Sequence, residues 1–284
     1  MDINDLKAEY KISKFYIQRA KRLLPLSYLV AILVVGMHIL TTKEDNFHYL
    51  TSLLFILFYI PNFYSGDWFF GYSDLPKPLD HYWSLGVEEQ FYFAWPLILF
   101  LILKKSVNGQ IRILTILIGI FMVAHWIPPF FGIGGQSLPT TYADLLLMGA
   151  LISLLRRYFK FNLKLSNLNA TLCLIILFFV LLRFPTEAVF FQGKYPRPLY
   201  YLYQLSLVGG VFLLSLRIGL KHQILRFIGN ISYGIYLIHK PLLYFAQKYL
   251  VNTQGVIVAT VVLSIGLAWI SYRYFESRFY KRSY

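Results

Sequence analysis

Apolar runs of about 20 residues recur along this sequence and constrain its fold more than any other feature. They begin at Leu23 and continue to the C-terminal tail, with short connections between them. A helix of about 20 apolar residues crosses roughly 30 Å of hydrocarbon, and it satisfies its own backbone hydrogen bonds where water is absent. Hydrophobic residues make up 57% of the chain, more than in ordinary water-soluble domains of this size. We therefore predict an all-α, polytopic bundle in a lipid bilayer.

About eight of these runs are long enough to cross the membrane. A further apolar run, residues 50–60, is too short to cross the membrane. Counting it as a crossing would also place Lys104 and Lys105 outside the cell, against the positive-inside rule. We therefore predict a re-entrant or interfacial segment there. No internal repeat divides the sequence, and we predict a single domain over residues 1–284. The predicted spans are residues 23–41, 86–104, 111–128, 139–155, 167–185, 199–218, 228–248 and 255–275.

Lysine and arginine collect at alternate ends of the apolar runs and give the chain a net charge of +14. By the positive-inside rule these clusters are cytoplasmic, which predicts a multi-pass protein of the cell (plasma or inner) membrane with both termini in the cytoplasm. The charges form no single soluble face, so we predict no nucleic-acid partner, and the sequence has no cluster typical of a metal site. The loop of residues 61–82 is then extracytoplasmic. The basic clusters are Lys11, Lys14, Arg19, Lys21 and Arg22; Lys104, Lys105 and Arg112; Arg156, Arg157, Lys160 and Lys164; Arg217, Lys221 and Arg226; and Arg273, Arg278, Lys281 and Arg282.

The segment HYWSLGVEEQFY, residues 81–92, sets a histidine and two carboxylates at the start of an apolar helix. In a structural interpretation, Ser84 caps a helix that begins at Leu85, and the two glutamates are favoured by the helix dipole. In a functional interpretation, His81 lies within reach of the Glu88 carboxylate and takes the proton of a hydroxyl during acyl transfer. The candidate catalytic residues are His81, Glu88 and Glu89, and the candidate substrate contacts nearby are Trp83, Ser84, Gln90 and Tyr92.

Two further segments carry polar residues next to apolar runs. Residues 15–25 are aromatic and basic; they are either a positive-inside anchor or a site where Arg19 and Arg22, one helical turn apart, hold the phosphates of a cytosolic donor such as a coenzyme A thioester. Residues 230–241 place Ser232, Tyr236 and His239 on one helical face. Such a stripe forms helix–helix hydrogen bonds or lines a cavity, and we include its three residues among the candidate substrate contacts.

Together these motifs resemble those of the membrane-bound acyltransferase type 3 family, whose bacterial members O-acetylate surface polysaccharides and related glycans. The resemblance covers nearly the whole chain, and its motifs occur in the family's order. It rests on the Arg-x-x-Arg-x-x-Pro segment (Arg19, Arg22, Pro25), on residues 81–92, on the Ser-Tyr-x-x-Tyr-Leu-x-His-x-Pro helix (residues 232–241) and on the closing Tyr-x-x-x-Glu (Tyr272, Glu276).

The resemblance implies a fold, a donor and an acceptor. It implies about ten transmembrane helices, acetyl-CoA or another acyl-CoA as the donor, a carbohydrate hydroxyl as the acceptor, and no metal. Arg19 and Arg22 would hold the donor near the cytoplasmic face, and His81, Glu88 and Glu89 would organise the acceptor side. Trp83 would stack on a sugar ring, while Ser232, Tyr236 and His239 would line the passage between the two sides.

One family feature has no counterpart in the sequence. In the family, two helices normally precede the Arg-x-x-Arg segment, and the first carries a basic residue with a histidine eleven positions later that is implied to be catalytic. No such pair is found here, so we expect the chain alone to be inactive or severely impaired. We expect a misassigned start or a truncated gene as the reason, so that residues 1–284 are N-terminally truncated relative to the family; in a second explanation, a separate N-terminal fragment supplies the two helices and is a candidate partner. The alternatives are a transporter of glycans or lipid-linked sugars and an inactive scaffolding paralogue.

Overall fold

The computed structural model describes residues 12–42, 45–64, 74–130, 140, 142–159 and 223–279. Regular structure in these ranges is entirely helical, which confirms the predicted all-α class. The helices are α1 (Ile12–Thr41), α2 (Asn46–Leu57), α3 (Tyr82–Ile102), α4 (Val107–Phe130), α5 (Ala143–Phe159), α6 (Gln223–Tyr249) and α7 (Thr253–Tyr274), with short 3₁₀ turns at Pro61–Phe63, Lys77–Leu79 and Glu276–Arg278.

Among the described residues, four helical stretches are long and apolar enough to cross a membrane. They are Ile12–Thr41, Lys77–Ile102, Val107–Ala124 and Thr253–Arg278. Two predicted spans, residues 139–155 and 228–248, coincide with helices that are not among these four, and two more, residues 167–185 and 199–218, lie outside the described residues. The chain is therefore a membrane protein, while the predicted number of crossings stays a prediction.

The chain divides into two compact units. One consists of residues 1–144 and 228–284, and the other of residues 145–227. Every candidate site residue named above lies in the first unit, whereas the described part of the second consists of most of α5 and the first residues of α6. The prediction of a single domain is not tested by this division.

Helices α1 and α3 pack in opposite directions. The Tyr16 hydroxyl donates to the Phe93 carbonyl near the start of α1, and the Tyr82 hydroxyl donates to the Ser27 carbonyl at 2.9 Å, further along α1. Tyr82 is the first residue of α3, so this helix begins beside the middle of α1. At 1.5 Å per residue, that point lies about 20 Å before the end of α1 at Thr41.

Helix α2 runs back along the second half of α1. The Tyr49 ring stacks on His38 near the end of α1, with ring centroids 3.5 Å apart. One helix length later, the Tyr28 hydroxyl donates to the Leu57 carbonyl at 2.7 Å. The chain then turns back toward the middle of α2, where the Tyr64 hydroxyl is hydrogen-bonded to the Thr51 hydroxyl at 3.1 Å. The re-entrant or interfacial placement of residues 50–60 stays a prediction.

The hydrophobic core of the first unit forms where these helices meet. Its α1 members recur three or four residues apart, the spacing that keeps side chains on one helical face. Helix α3 contributes Tyr82 and Leu85, and α6 contributes Leu237. Gly86 permits a close approach, because a Cβ atom there would lie 2.8 Å from both the Asn62 Oδ1 and the Pro61 Cδ. The α1 members are Leu26, Val30, Ala31, Val34 and Val35.

Candidate functional site

Arg19 and Glu89 join two of the predicted motifs. The Arg19 Nε donates to Glu89 Oε2 at 2.9 Å and the Nη2 donates to Oε1 at 2.6 Å. The side chains are only 22% and 17% exposed. A two-pronged contact of this kind is the strongest geometry that an arginine and a carboxylate can form. The basic segment and the acidic segment, predicted to serve separate donor and acceptor sides, therefore meet in one place.

Two more residues of the acidic motif surround the Arg19 guanidinium. The Tyr92 ring lies beneath it, with the guanidinium carbon 3.4 Å from the ring centroid, a geometry in which the aromatic face attracts the cation. Glu88 makes a longer contact of 3.4 Å and is 49% exposed. Arg19 is thus held from several directions. Arg22, one turn further along α1, is exposed and forms no ion pair within the described residues.

Gln90 holds a tight turn rather than facing open space. Its side-chain amide donates to the Tyr59 carbonyl at 2.9 Å and exchanges hydrogen bonds of 2.7 and 3.2 Å with the Asn62 amide. Tyr59 has a φ of 56°, a left-handed conformation that a non-glycine residue adopts only when its surroundings impose it. Burial raises the pKa of Tyr59, so this phenol stays neutral. The position predicted to contact substrate therefore fixes the turn after α2.

A cavity of about 320 Å³ opens beside the Arg19–Glu89 pair. Its walls are mostly apolar and aromatic, and its polar residues are the two charged residues, Gln90 and three tyrosines. Sites that bind small molecules commonly combine an apolar wall with a few polar groups of this kind. The lining residues are Tyr16, Arg19, Ala20, Leu24, Phe58, Tyr59, Ile60, Glu89, Gln90, Tyr92 and Phe93.

His81 is buried at the start of α3 and faces α6. Its Nε2 lies 3.2 Å from the Leu237 carbonyl oxygen, and its ring centroid is 5.3 Å from those of both Tyr236 and His239. The Tyr236 hydroxyl donates to the His81 carbonyl at 2.6 Å. The structure therefore brings together the predicted histidine of α3 and two of the three polar residues predicted on α6.

The carboxylate beside His81 is Asp80, not Glu88. The Asp80 Oδ1 is 4.0 Å from the His81 Nδ1, and its Oδ2 accepts from the Lys240 Nζ at 3.1 Å, whereas no contact joins His81 to Glu88 in the described part of the chain. The expected reach was wrong because Glu88 points toward Arg19. Sequence reasoning missed Asp80 and Lys240, although each is adjacent to a candidate histidine.

The helix start also differs from the prediction. Helix α3 begins at Tyr82 rather than Leu85, and His81 occupies the cap position without a side-chain cap bond. Ser84 is consequently inside the first turn. Its hydroxyl donates to the His81 carbonyl at 3.1 Å and is hydrogen-bonded to the Tyr236 hydroxyl. Ser84 thus links α3 to α6 instead of capping α3.

The remaining candidates lie at the edge of this cluster. Ser232 is exposed, and its hydroxyl donates to the Gly229 carbonyl of its own helix at 3.0 Å, so it does not join Tyr236 and His239. Trp83 is half-buried, and its ring centroid is 5.9 Å from that of Tyr142. Among the described residues, no group of three or more His, Cys, Asp or Glu side chains could hold a metal ion.

The amino-acid sequence of the chain is similar to those of several named proteins. "Putative O-acetyltransferase SACOL0978" of Staphylococcus aureus strain COL is 28% identical over 95% of this chain and 48% of its own length. Peptidoglycan O-acetyltransferase OatA of Listeria monocytogenes is 26% identical over 96% of this chain and 47% of its own. O-acetyltransferase OatA of S. aureus strain NCTC 8325 is 25% identical over 95% and 48%, respectively. The chain thus spans about half the length of these relatives.

No solved structure matches the chain. The model of the acyltransferase domain, by contrast, matches residues 5–273, nearly the whole sequence. This match covers both the Arg19 segment and the His81 segment, the two parts that the structure brings together. The chain therefore belongs to the acyltransferase type 3 family.

Proposed function

We propose that the protein transfers an acetyl or other short acyl group from acyl-CoA to a hydroxyl of a cell-surface carbohydrate. Membership of the acyltransferase family supports acyl transfer. The names of the relatives, among them a peptidoglycan O-acetyltransferase, support an oxygen on a carbohydrate as the acceptor. The observation that carries the proposal is the Arg19–Glu89 pair, because it joins the basic segment to the segment that contains the histidine.

The distance along α1 between the Arg19–Glu89 pair and the surroundings of His81 suits acyl transfer. Arg19 lies at the level of Glu89 on α3, and Ser27 lies at the level of Tyr82, next to His81. Eight residues of helix separate Arg19 from Ser27, or about 12 Å. This is well below the roughly 30 Å of hydrocarbon that a transported molecule would have to cross. A donor anchored at the basic segment would therefore need to extend its thioester only part of the way into the bundle.

The proposed roles follow from exposure and charge. Arg22 is exposed and would contact the phosphates of the donor, while Arg19, fixed by Glu89, would shape the wall of the cavity. The apolar part of that cavity would accept the acyl group and its thioester arm. His81, with Tyr236 and His239 nearby, would take the proton of the acceptor hydroxyl. Trp83 would stack on the sugar ring.

The cellular setting is also part of the proposal. A multi-pass arrangement in the cell membrane, with both termini cytoplasmic, would leave Arg22 accessible to cytosolic acyl-CoA. The expected need for a separate N-terminal fragment stays a prediction, so activity should be measured both for this chain alone and for the chain co-expressed with the first two helices of a relative.

The proposal is tested with acyl-CoA labelled in its acyl group. Membranes containing the chain should bind this donor. Membranes that also contain the first two helices of a relative should, when a carbohydrate acceptor is present, form a labelled ester that mild base removes. Arg22→Ala should reduce donor binding at least ten-fold, because one charge-assisted contact with phosphate contributes about 1.5–3 kcal/mol. The double variant Arg19→Ala, Arg22→Ala should abolish binding.

Arg112→Ala is the matched control. Arg112 is an exposed arginine at another predicted cytoplasmic end, so its removal lowers the positive charge equally without touching the proposed site. Binding that survives both substitutions in the Arg19 segment would exclude this donor site. Movement of glycan across the membrane without any ester on the product would instead favour a transporter.

A further inference from the structure

The hydrogen bond between His81 and Leu237 determines which ring nitrogen is basic. A backbone carbonyl can only accept, so the Nε2 at 3.2 Å from the Leu237 oxygen must carry a hydrogen. In a neutral imidazole the other nitrogen then has none. The Nδ1 of His81 is therefore a free acceptor, and it has no hydrogen-bond partner in the described part of the structure.

A carboxylate oxygen, which is also an acceptor, lies near this nitrogen. The Asp80 Oδ1 lies 4.0 Å away and is likewise buried, with no hydrogen-bond partner among the described residues. Lys240 holds the other carboxylate oxygen at 3.1 Å, which keeps Oδ1 turned toward His81. Burying two acceptors that face each other without a hydrogen-bond donor raises the free energy of the folded protein. A ligand group that donates a hydrogen bond, such as a hydroxyl, would lower it.

We propose that the His81 Nδ1 and the Asp80 Oδ1 form the subsite that receives the acceptor hydroxyl, with Nδ1 as the base and Asp80 as its positioning carboxylate. The inference rests on the proposed function and adds to it the reacting atom and a residue that sequence reasoning did not select. The two atoms are themselves buried, while the Asp80 and Lys240 side chains beside them are 38% and 36% exposed. The proposed route for the hydroxyl therefore runs along these two side chains.

Acyl transfer in this subsite moves one proton to His81 and replaces a C–S bond with a C–O bond. The acceptor O–H bond breaks, its proton passes to Nδ1, and its oxygen forms the new bond to the acyl carbon of the thioester. The C–S bond breaks, and its electron pair leaves on the sulfur. The departing thiolate then takes up a proton and the imidazole becomes neutral again, so that one ester and one thiol are formed.

The charged groups around His81 determine how strongly its protonated form, the imidazolium, can be stabilised. Its own segment contributes Asp80 and the phenol of Tyr82, and α6 contributes Tyr236, His239 and Lys240. Asp80 is the only anion within this set, so it is the group that can stabilise the imidazolium formed in the reaction. Lys240 neutralises part of that charge but also fixes the direction of the carboxylate.

The first experiment observes the nitrogen directly. The protein is labelled with ¹⁵N-histidine, and the Nδ1 and Nε2 signals of His81 are assigned as those that His81→Gln removes from the six histidines of the chain. At neutral pH we expect a hydrogen-free Nδ1 and a protonated Nε2. Asp80→Asn should shift the Nδ1 signal, because its amide can donate to that nitrogen, whereas Asp74→Asn, an exposed aspartate in the same loop, should not. A protonated Nδ1 at neutral pH would overturn the proposal.

The second experiment measures ester formation. His81→Gln should lower the rate about a hundred-fold or more and Asp80→Ala about ten-fold, as expected for loss of a base and of its supporting charge. Asp80→Asn should be worse than Asp80→Ala, since the amide occupies the base. Asp80→Ala should also move the acidic limb of the pH–rate profile to lower pH, a change that a purely structural role would not produce; an unmoved limb with an unchanged rate would overturn the assignment.

The two experiments separate failure of this inference from failure of the proposed function. If the unaltered chain, with or without the added helices, forms no ester, acyl transfer itself is contradicted, and the nitrogen signals still decide whether Nδ1 is the free acceptor. If ester forms but Nδ1 carries a hydrogen, acyl transfer stands and the assignment of this base is overturned.

Discussion

Arg19 binds both carboxylate oxygens of Glu89, at 2.6 and 2.9 Å, although 70 positions separate the two residues in the sequence. A charged side chain inside a membrane bundle is stable only when it is paired or faces water. The pair therefore explains how α1 carries an arginine, and α3 a glutamate, where the two helices are in contact. It also places a fixed pair of charges in the lining of a mostly apolar cavity.

Removing one member of this pair should destabilise the protein more than removing both. Arg19→Ala leaves Glu89 largely buried without its counter-charge, and we expect a loss of about 2–3 kcal/mol in the free energy of unfolding. Glu89→Gln retains an acceptor and should lose less. The measurement is thermal unfolding of the purified protein in detergent, with Arg19→Ala, Glu89→Ala and the double variant forming a thermodynamic cycle.

Glu88→Gln provides the control for this cycle. Glu88 is 49% exposed and contacts Arg19 only at 3.4 Å, so its neutralisation should change the stability by less than about 0.5 kcal/mol. Strictly additive losses for Arg19→Ala and Glu89→Ala would show that the two side chains do not interact as described.

Two glycines in helices that are apolar and long enough to span a membrane should respond to alanine in opposite ways. At Gly86 the added methyl group would lie 2.8 Å from Pro61 and Asn62, so the turn that Gln90 holds must move, at a cost of about 1–3 kcal/mol. At Gly36 nothing lies within 4 Å of the added atom, and alanine should be neutral or stabilise the helix by up to about 1 kcal/mol. Unfolding temperatures of the two variants compare the effects directly, and equal shifts would contradict the close packing of α3 against residues 61–62.

Tyr236→Phe should uncouple α6 from the start of α3. The substitution removes the hydroxyl that donates to the His81 carbonyl at 2.6 Å and meets the Ser84 hydroxyl, while the Ser84 hydroxyl still donates to the His81 carbonyl. We expect a loss of about 0.5–1.5 kcal/mol in stability, together with a lower rate of ester formation. Tyr249→Phe is the control, since Tyr249 lies in the same helix and is 74% exposed. Equal stabilities and equal rates of ester formation in the two variants would contradict a role for the Tyr236 hydroxyl in positioning the start of α3.

The sequence was sufficient to predict the elements but not the partners of their side chains. Apolar runs predicted the membrane class and the helices over residues 23–41, 86–104 and 255–275, because those features depend on local composition and length. The start of α1 was missed, since this helix begins at Ile12. Residues 81–92 were also recognised as important. Which carboxylate meets the histidine depends on tertiary contacts. Glu88 lies seven residues, or about 10 Å of helix, beyond His81, and it contacts Arg19 instead.

Long-range contacts explain the other differences. Gln90 was selected as a substrate contact, yet it holds the backbone of Tyr59 and the side chain of Asn62, about 30 positions earlier. Nothing near Gln90 in the sequence indicates that turn. Asp80 lies next to the predicted histidine, but it becomes significant only because Lys240, 160 positions away, fixes one of its oxygens.

The orientation of α3 in the membrane gives a further prediction, which rests on the distribution of basic residues. Asp74 precedes the helix in a loop predicted to be extracytoplasmic, and Lys105 follows it at a predicted cytoplasmic end; both are exposed. With the single native cysteine replaced (Cys173→Ser), we introduce Asp74→Cys or Lys105→Cys and treat intact cells with a membrane-impermeant maleimide. Asp74→Cys should be labelled in intact cells, and Lys105→Cys only after permeabilisation. The reverse pattern would invert α3, and with it the side from which the proposed acyl-CoA donor would reach Arg22.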